Sequence, residues 1–169
     1  VTGLLRITRA CLPLLRDSGG RIVNISSISG LVALPGVSVY AGSKHAVEAI
    51  TDSLRVELGV LGLRVIAVEP GSIETEIWRK GAERDEQRSH HDRQLRQVYE
   101  PILTLLEKLN RNPRGIPAER VAEVVKRALT SDDPKNRYAV GADAKSLSIL
   151  RWLPDPIRDG MIRRKVWRD

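Results

Sequence analysis

Tyr40 and Lys44 put a phenol and an ammonium group four positions apart where an apolar helical pattern begins. On a helix, positions i and i+4 lie side by side. A phenol with an ordinary pKa of about 10 is a poor base at neutral pH, and a neighbouring cation favours its ionised form. The pair can therefore move a proton. Alone, it reads better as an amphipathic helix end carrying a solvated lysine, so what surrounds it decides.

Two apolar runs flank the pair and would have to position it. Arg21 to Ile25 is a short, nearly continuous apolar run closed by the hydroxyls of Ser26, Ser27 and Ser29, and Leu63 to Val68 is another, closed by Glu69-Pro70-Gly71. Such runs suit parallel strands covered on both faces, and ligands of parallel α/β sheets bind where the strands end. Between them Val47, Ile50, Leu54, Leu58 and Leu61 keep a helical period to Gly59 and Gly62, behind a Pro35-Gly36 loop with Ser38 as the expected cap. Three serines so close together also suit turn chemistry, and only the spacing to Tyr40 singles out Ser27.

Ser27 thirteen residues before Tyr40, then Lys44, then Pro70-Gly71-Ser72-Ile73-Glu74-Thr75, resembles the short-chain dehydrogenase/reductase family in order and spacing. The resemblance implies that Ser27 hydrogen-bonds the substrate oxygen, that Tyr40 is the general acid/base, and that Lys44 lowers the tyrosine pKa while binding the nicotinamide ribose. It also implies cofactor contacts at Pro70, Gly71, Ile73 and Thr75, the last two at the carboxamide and neighbouring phosphate. The cofactor would be NAD or NADP. Arg137-Tyr138, Gly141 and Asp143-Ala144-Lys145 resemble the retinol and hydroxysteroid dehydrogenase branch, which implies a lipophilic secondary or allylic alcohol, or its ketone, as substrate. The expected fold is the C-terminal part of a Rossmann-like, doubly wound parallel sheet with flanking helices.

One element of that family has no counterpart here. No two glycines stand two apart, so the glycine-rich turn that cradles a pyrophosphate on backbone N–H groups is not in this sequence. The expectation is a single partial domain over residues 1–169, roughly the C-terminal three-fifths of a family member without its cofactor-binding first half. As written, the chain is expected to be inactive and to leave the strand near Ile22–Ser26 with an open edge.

Composition bounds the alternatives. With 169 residues, 41% hydrophobic and 29% charged, the chain suits one domain with a core; Cys11 is the single cysteine, which excludes an intrachain disulfide. The net charge of +7 is scattered among acids, without the basic blocks and interleaved aromatics of a nucleic-acid binder. No apolar run of about 18 residues is present, so a soluble cytoplasmic protein is expected. From Leu147 onward, Trp152, Ile157, Met161 and Trp167 mix with Arg151, Arg158, Arg163, Arg164 and Lys165, the pattern of a segment that touches a membrane surface.

The remaining elements are read as follows. Residues 1–17 form an amphipathic helix kinked at Pro13, and this helix with 38–61 is the expected surface for homo-oligomers. The charged stretch Glu83 to Arg96 corresponds in the family to a segment covering the substrate. Leu95, Val98, Ile102, Leu105 and Leu109 form a helical stripe that Pro101 breaks in two. Ala118 to Leu129 is a helix with Pro117 at its first turn, Arg137 to Gly141 a last strand, and Ala144 to Trp152 a further helix. His45 points away from Lys44 around its helix, to a surface or interface. His90-His91-Asp92 reads as a solvated face, because adjacent helical histidines diverge.

Two other classes compete with the oxidoreductase. A non-catalytic protein of the same fold would act only through helix association, and the complete Ser27, Tyr40 and Lys44 set argues against it. A serine hydrolase using Ser27 with His90 or His91 lacks the Gly-x-Ser-x-Gly elbow.

Overall fold

A computed structural model describes residues 1–74, 93–110 and 115–167. Thr75, His90, His91 and Asp92, with the charged stretch 83–92, lie outside the described residues.

Three strands form one parallel sheet in the order β1 (Arg21–Ile25), β2 (Arg64–Pro70), β3 (Arg137–Val140). Arg21 to Ile25 pair with Arg64 to Val68, and Ala67 to Pro70 with Arg137 to Val140. Parallel neighbours need a crossover. Helix α2 (Ser38–Gly59) supplies the first; α3 (Arg93–Asn110) and α4 (Ala118–Thr130) lie within the second. Among the described residues β1 pairs with β2 alone, which leaves its other edge open.

Successive side chains of a strand face opposite sides of the sheet, and the alternation sorts the core. Val65 packs with Leu58, Leu63 and Ile22, and with Leu12 and Leu15 of α1 (Thr2–Ser18). Ile66 and Val68 pack with Ala128 of α4 and with Tyr138 and Val140 on the opposite face. Val65, Ile66 and Val68 are almost fully buried, and each contributes roughly 1.5–3 kcal/mol relative to an exposed side chain.

Several local expectations are corrected. Helix α3 runs unbroken through Pro101. A proline interior to a helix costs about 3 kcal/mol, and docking offsets that cost: Ile102 is buried, and Gly36 lies so near Ile102 and Leu106 that a Cβ there would sit 2.8 Å from each. The expected apolar stripe is therefore divided, since Val98 on the same helix is exposed. Ser38 does not cap α2; Val37 holds that position without a side-chain bond, and its carbonyl accepts the Ala41 N–H at 2.8 Å. Helix α1 continues through Pro13 as one element. The helix expected over Ala144–Trp152 begins earlier, as α5 (Ala142–Leu147), and tightens into a 3₁₀ turn over Ser148–Trp152 before α6 (Asp155–Trp167).

Candidate active site

The site lies where β1 and β2 end and α2 begins. Past Ile25, the Ser26 N–H donates to the Val68 carbonyl at 2.8 Å and carries the ladder one residue further. Ser27 then leaves the sheet in extended conformation and caps a 3₁₀ turn over Ile28–Gly30: its Oγ accepts the Ser29 N–H at 3.2 Å. Ser27 is buried. With a backbone donor on its oxygen, its O–H remains to be donated to another oxygen.

Gly30 lets this turn close against α2. A Cβ there would lie 2.9 Å from the Lys44 carbonyl and 2.8 Å from Ser26 Oγ. The close approach brings the strand end and the helix within reach of one lysine: Lys44 Nζ donates to the Ile25 carbonyl at 3.1 Å and stands 5.8 Å from the Tyr40 ring centroid. Tyr40 itself is 38% exposed. The phenol and the ammonium are thus neighbours in space as well as in sequence. Burial lowers the Lys44 pKa by disfavouring the charged form, and Glu48 works against that shift.

The loop after β2 is shaped by Asp143. Its Oδ2 accepts the Ser72 N–H at 2.7 Å and its Oδ1 the Ala144 N–H at 2.8 Å, which pins Pro70-Gly71-Ser72 to the start of α5. Ile73 pairs with Ile116 in an isolated parallel bridge and, with Ile25, Val121, Val125 and Leu129, lines an open apolar hollow of about 630 Å³. His45 is exposed, with its Nδ1 at 2.9 Å from the Ala41 carbonyl, so it stands apart from the pair.

Sequence reasoning missed a charged cluster behind this site. Arg137 of β3 binds Glu48 and Asp52 of α2 and, at 2.5 Å, Glu69 of β2; Glu48 and Glu69 are both buried. Burial raises the Glu69 pKa against the opposing pull of Arg137. Partial burial acts upward on Asp52 too, yet Arg55 and Arg137 together outweigh it and keep Asp52 below its ordinary value. The signal available in the sequence was the spacing Tyr40, Lys44, Glu48, Asp52, which sets all four on one side of α2.

A serine at a strand end, with a tyrosine and a lysine on the helix against which its turn closes, is a set of groups that can polarise a carbonyl and move a proton to its oxygen. Residues 1–86 match the family model described as short chain dehydrogenase. The chain belongs to the short-chain dehydrogenase family. It is 35% identical, over 99% of its length, to the uncharacterized oxidoreductase YusZ of Bacillus subtilis, of which it covers 60%, and 33% identical over 95% of its length to retinol dehydrogenase 16 of Mus musculus, of which it covers 53%. A short-chain dehydrogenase from Streptomyces avermitilis has the same fold, with a TM-score of 0.71 and 26% identity, over 98% of this chain and 57% of that one. This short-chain dehydrogenase chain spans about half to three-fifths of the length of the relatives it matches. Its sheet, read against the solved relative, is part of a Rossmann-like α/β fold.

Proposed function

We propose that these residues form the catalytic and substrate-binding part of an oxidoreductase that uses NAD or NADP to interconvert a lipophilic secondary or allylic alcohol and its carbonyl. The observation that carries this reading is the position of Lys44, anchored on the end of β1 and 5.8 Å from the Tyr40 ring. An ammonium there stabilises negative charge on the phenol oxygen. Tyr40 takes the hydroxyl proton during oxidation and returns it during reduction. Ser27, whose O–H is left to donate, holds the substrate oxygen. Such acid–base positioning is worth typically 10²–10⁴-fold.

A bound dinucleotide would supply the hydride acceptor or donor. The residues present fit its nicotinamide and ribose end: Lys44 offers N–H donors, Tyr40 its hydroxyl, and the turn from Pro70 and Gly71 to Ile73 runs beside the strand end, with Thr75 following in sequence. They offer no glycine-rich cradle for its pyrophosphate.

Likeness to a retinol dehydrogenase supports the lipophilic substrate class. The test is the nicotinamide absorbance change of the complete protein that contains this chain, with each dinucleotide, over steroid, retinoid and sugar alcohols. Turnover with steroids or retinoids is expected. Absence of turnover with both dinucleotides, or higher efficiency on a sugar alcohol, would overturn the reading.

Two surfaces support partners. Exposed apolar side chains stud α1 (Leu5, Ile7, Leu14) and α2 (Val39, Val56) with the Val60 that caps its end, as association with a second copy through these helices requires. On α6, Ile157, Met161 and Trp167 are exposed beside Arg163 and Arg164, which suits contact with an anionic membrane surface. Among the described residues no helix is long and apolar enough to cross a membrane.

A further inference from the structure

Successive turns along α2 carry a phenol, an ammonium and two carboxylates: Tyr40, Lys44, Glu48 and Asp52. Lys44 and Glu48 stand at the i,i+4 spacing at which opposite charges on a helix pair. No ion pair joins them. Lys44 Nζ donates instead to the Ile25 carbonyl at 3.1 Å, with the Tyr40 ring centroid 5.8 Å away, and Glu48 Oε2 is taken by Arg137. Glu48 is only 6% exposed and its Oε1 has no hydrogen-bond partner among the described residues, so a buried acceptor stands one turn from the ammonium. A buried carboxylate that loses its cation leaves an uncompensated charge, which is costly. The nearest replacement cation on the same helix is Lys44.

We propose that Arg137 is a positioning residue that keeps Lys44 on Tyr40 by occupying Glu48. Its guanidinium reaches α2 from β3 and also holds Glu69 of β2 at 2.5 Å, so two strands fix where it sits. A guanidinium carries five N–H donors in a fixed planar fork, which suits it to serve several carboxylates at once. The inference rests on the role proposed above for Lys44 and adds the residue that protects it from capture.

The charged surroundings set the sign of the expected pH effect. On α2 itself, Glu48 is flanked by Lys44 and Asp52, with Arg55 on Asp52. Glu69 faces it from β2 and Arg137 from β3; Arg151, in the 3₁₀ turn, acts on Glu69. Removing the Arg137 charge leaves Lys44 facing a net negative cluster. Drawn toward it, Lys44 stabilises less negative charge on Tyr40, and alcohol oxidation then requires higher pH.

The experiment compares Arg137→Gln, Glu48→Gln and the double variant in the complete protein, with the best alcohol from the steroid and retinoid panel. For Arg137→Gln the acid limb of the oxidation profile is expected to move up by about one pH unit or more, and dinucleotide affinity, read by fluorescence titration, to weaken about tenfold as Lys44 turns away. A crystal structure of this variant should show Lys44 Nζ paired with Glu48. In the double variant the neutral amide that replaces the Glu48 carboxylate no longer attracts the ammonium, so profile and affinity should return toward wild type.

An unmoved limb in Arg137→Gln with lowered thermal stability would overturn the proposal, as would failure of the double variant to restore the profile. If Arg137→Gln does not fold, Glu48→Gln alone decides: its limb should move to lower pH, and an unmoved or rising limb counts against the proposal. The Lys44–Glu48 pairing in the crystal does not depend on catalysis. A Tyr40→Phe control that keeps its full rate would sink the functional reading, while that pairing would still bear on Arg137.

Discussion

Asp143 accepts the Ser72 N–H at 2.7 Å and lies so close to the preceding Gly71 that a Cβ there would fall 2.1 Å from Asp143 Oδ1. The turn that ends β2 is therefore shaped around a carboxylate from α5. Gly71→Ala is expected to destabilise by about 1–3 kcal/mol through overpacking. Asp143→Ala removes both the clash and two accepted hydrogen bonds, so the double variant should be less destabilised than the sum of the singles. Urea unfolding of the complete protein checks this; strict additivity would show that the two residues do not touch.

Tyr40→Phe should lower turnover by on the order of 10²-fold or more, because the phenyl ring keeps the packing and loses the proton-transfer group. Ser27→Ala should also slow turnover. It should destabilise as well, since the Ser29 N–H loses its acceptor. Retention of more than a tenth of the rate by Tyr40→Phe would remove it from the acid–base role.

Lys44 has a lowered pKa through burial. At pH values below that lowered value the lysine is charged in both states, and the folded state bears the full desolvation cost. As pH rises through the window toward the ordinary value of about 10.5, the folded state deprotonates first and the cost disappears. The stability of wild type relative to Lys44→Met is thus expected to rise with pH across that window, and a flat difference curve would contradict it. The same substitution should push alcohol oxidation to higher pH.

Glu69 and Asp52 share Arg137 and should behave oppositely. Burial raises the folded Glu69 pKa, so its stability difference against Glu69→Gln should fall as pH rises from the ordinary carboxylate value through the raised one. Despite its partial burial, Asp52 is held below its ordinary value by Arg55 and Arg137; its difference against Asp52→Asn should be full above the ordinary value and be lost as pH falls through the lowered one. Urea midpoints from about pH 2 to 8, the range in which carboxylates shifted either way titrate, measure both. Slopes of equal sign would refute the assignment.

Binding to vesicles containing phosphatidylserine is expected to weaken by about thirtyfold or more when Arg163 and Arg164 are both changed to Glu, at about 1 kcal/mol for each basic residue lost near an anionic surface. Trp167→Ala should reduce it further. Co-sedimentation at low and high salt tests this, and binding that ignores lipid charge would argue against α6 as the contact.

What the amino-acid sequence determined by itself was everything carried by short-range periodicity. The strands read at Arg21 to Ile25 and Leu63 to Val68 follow from continuous apolar runs, the helix read over 38–61 from a period of 3.6, and the adjacency of Tyr40 to Lys44 from the i,i+4 rule, all of which act within a few residues. The order Ser27, Tyr40, Lys44, Pro70-Gly71 was enough to suggest the family. Only the tertiary structure decided what depended on partners far along the chain. Helix α3 survives Pro101 because Ile102 and Leu106 dock on the Gly36 loop. Arg137 meets Glu48 and Glu69 across 89 and 68 residues because the pleat of adjacent parallel strands sends alternate side chains to the same face, the face that α2 covers. A charge's neighbours are set by which faces pack together, and local sequence does not encode that.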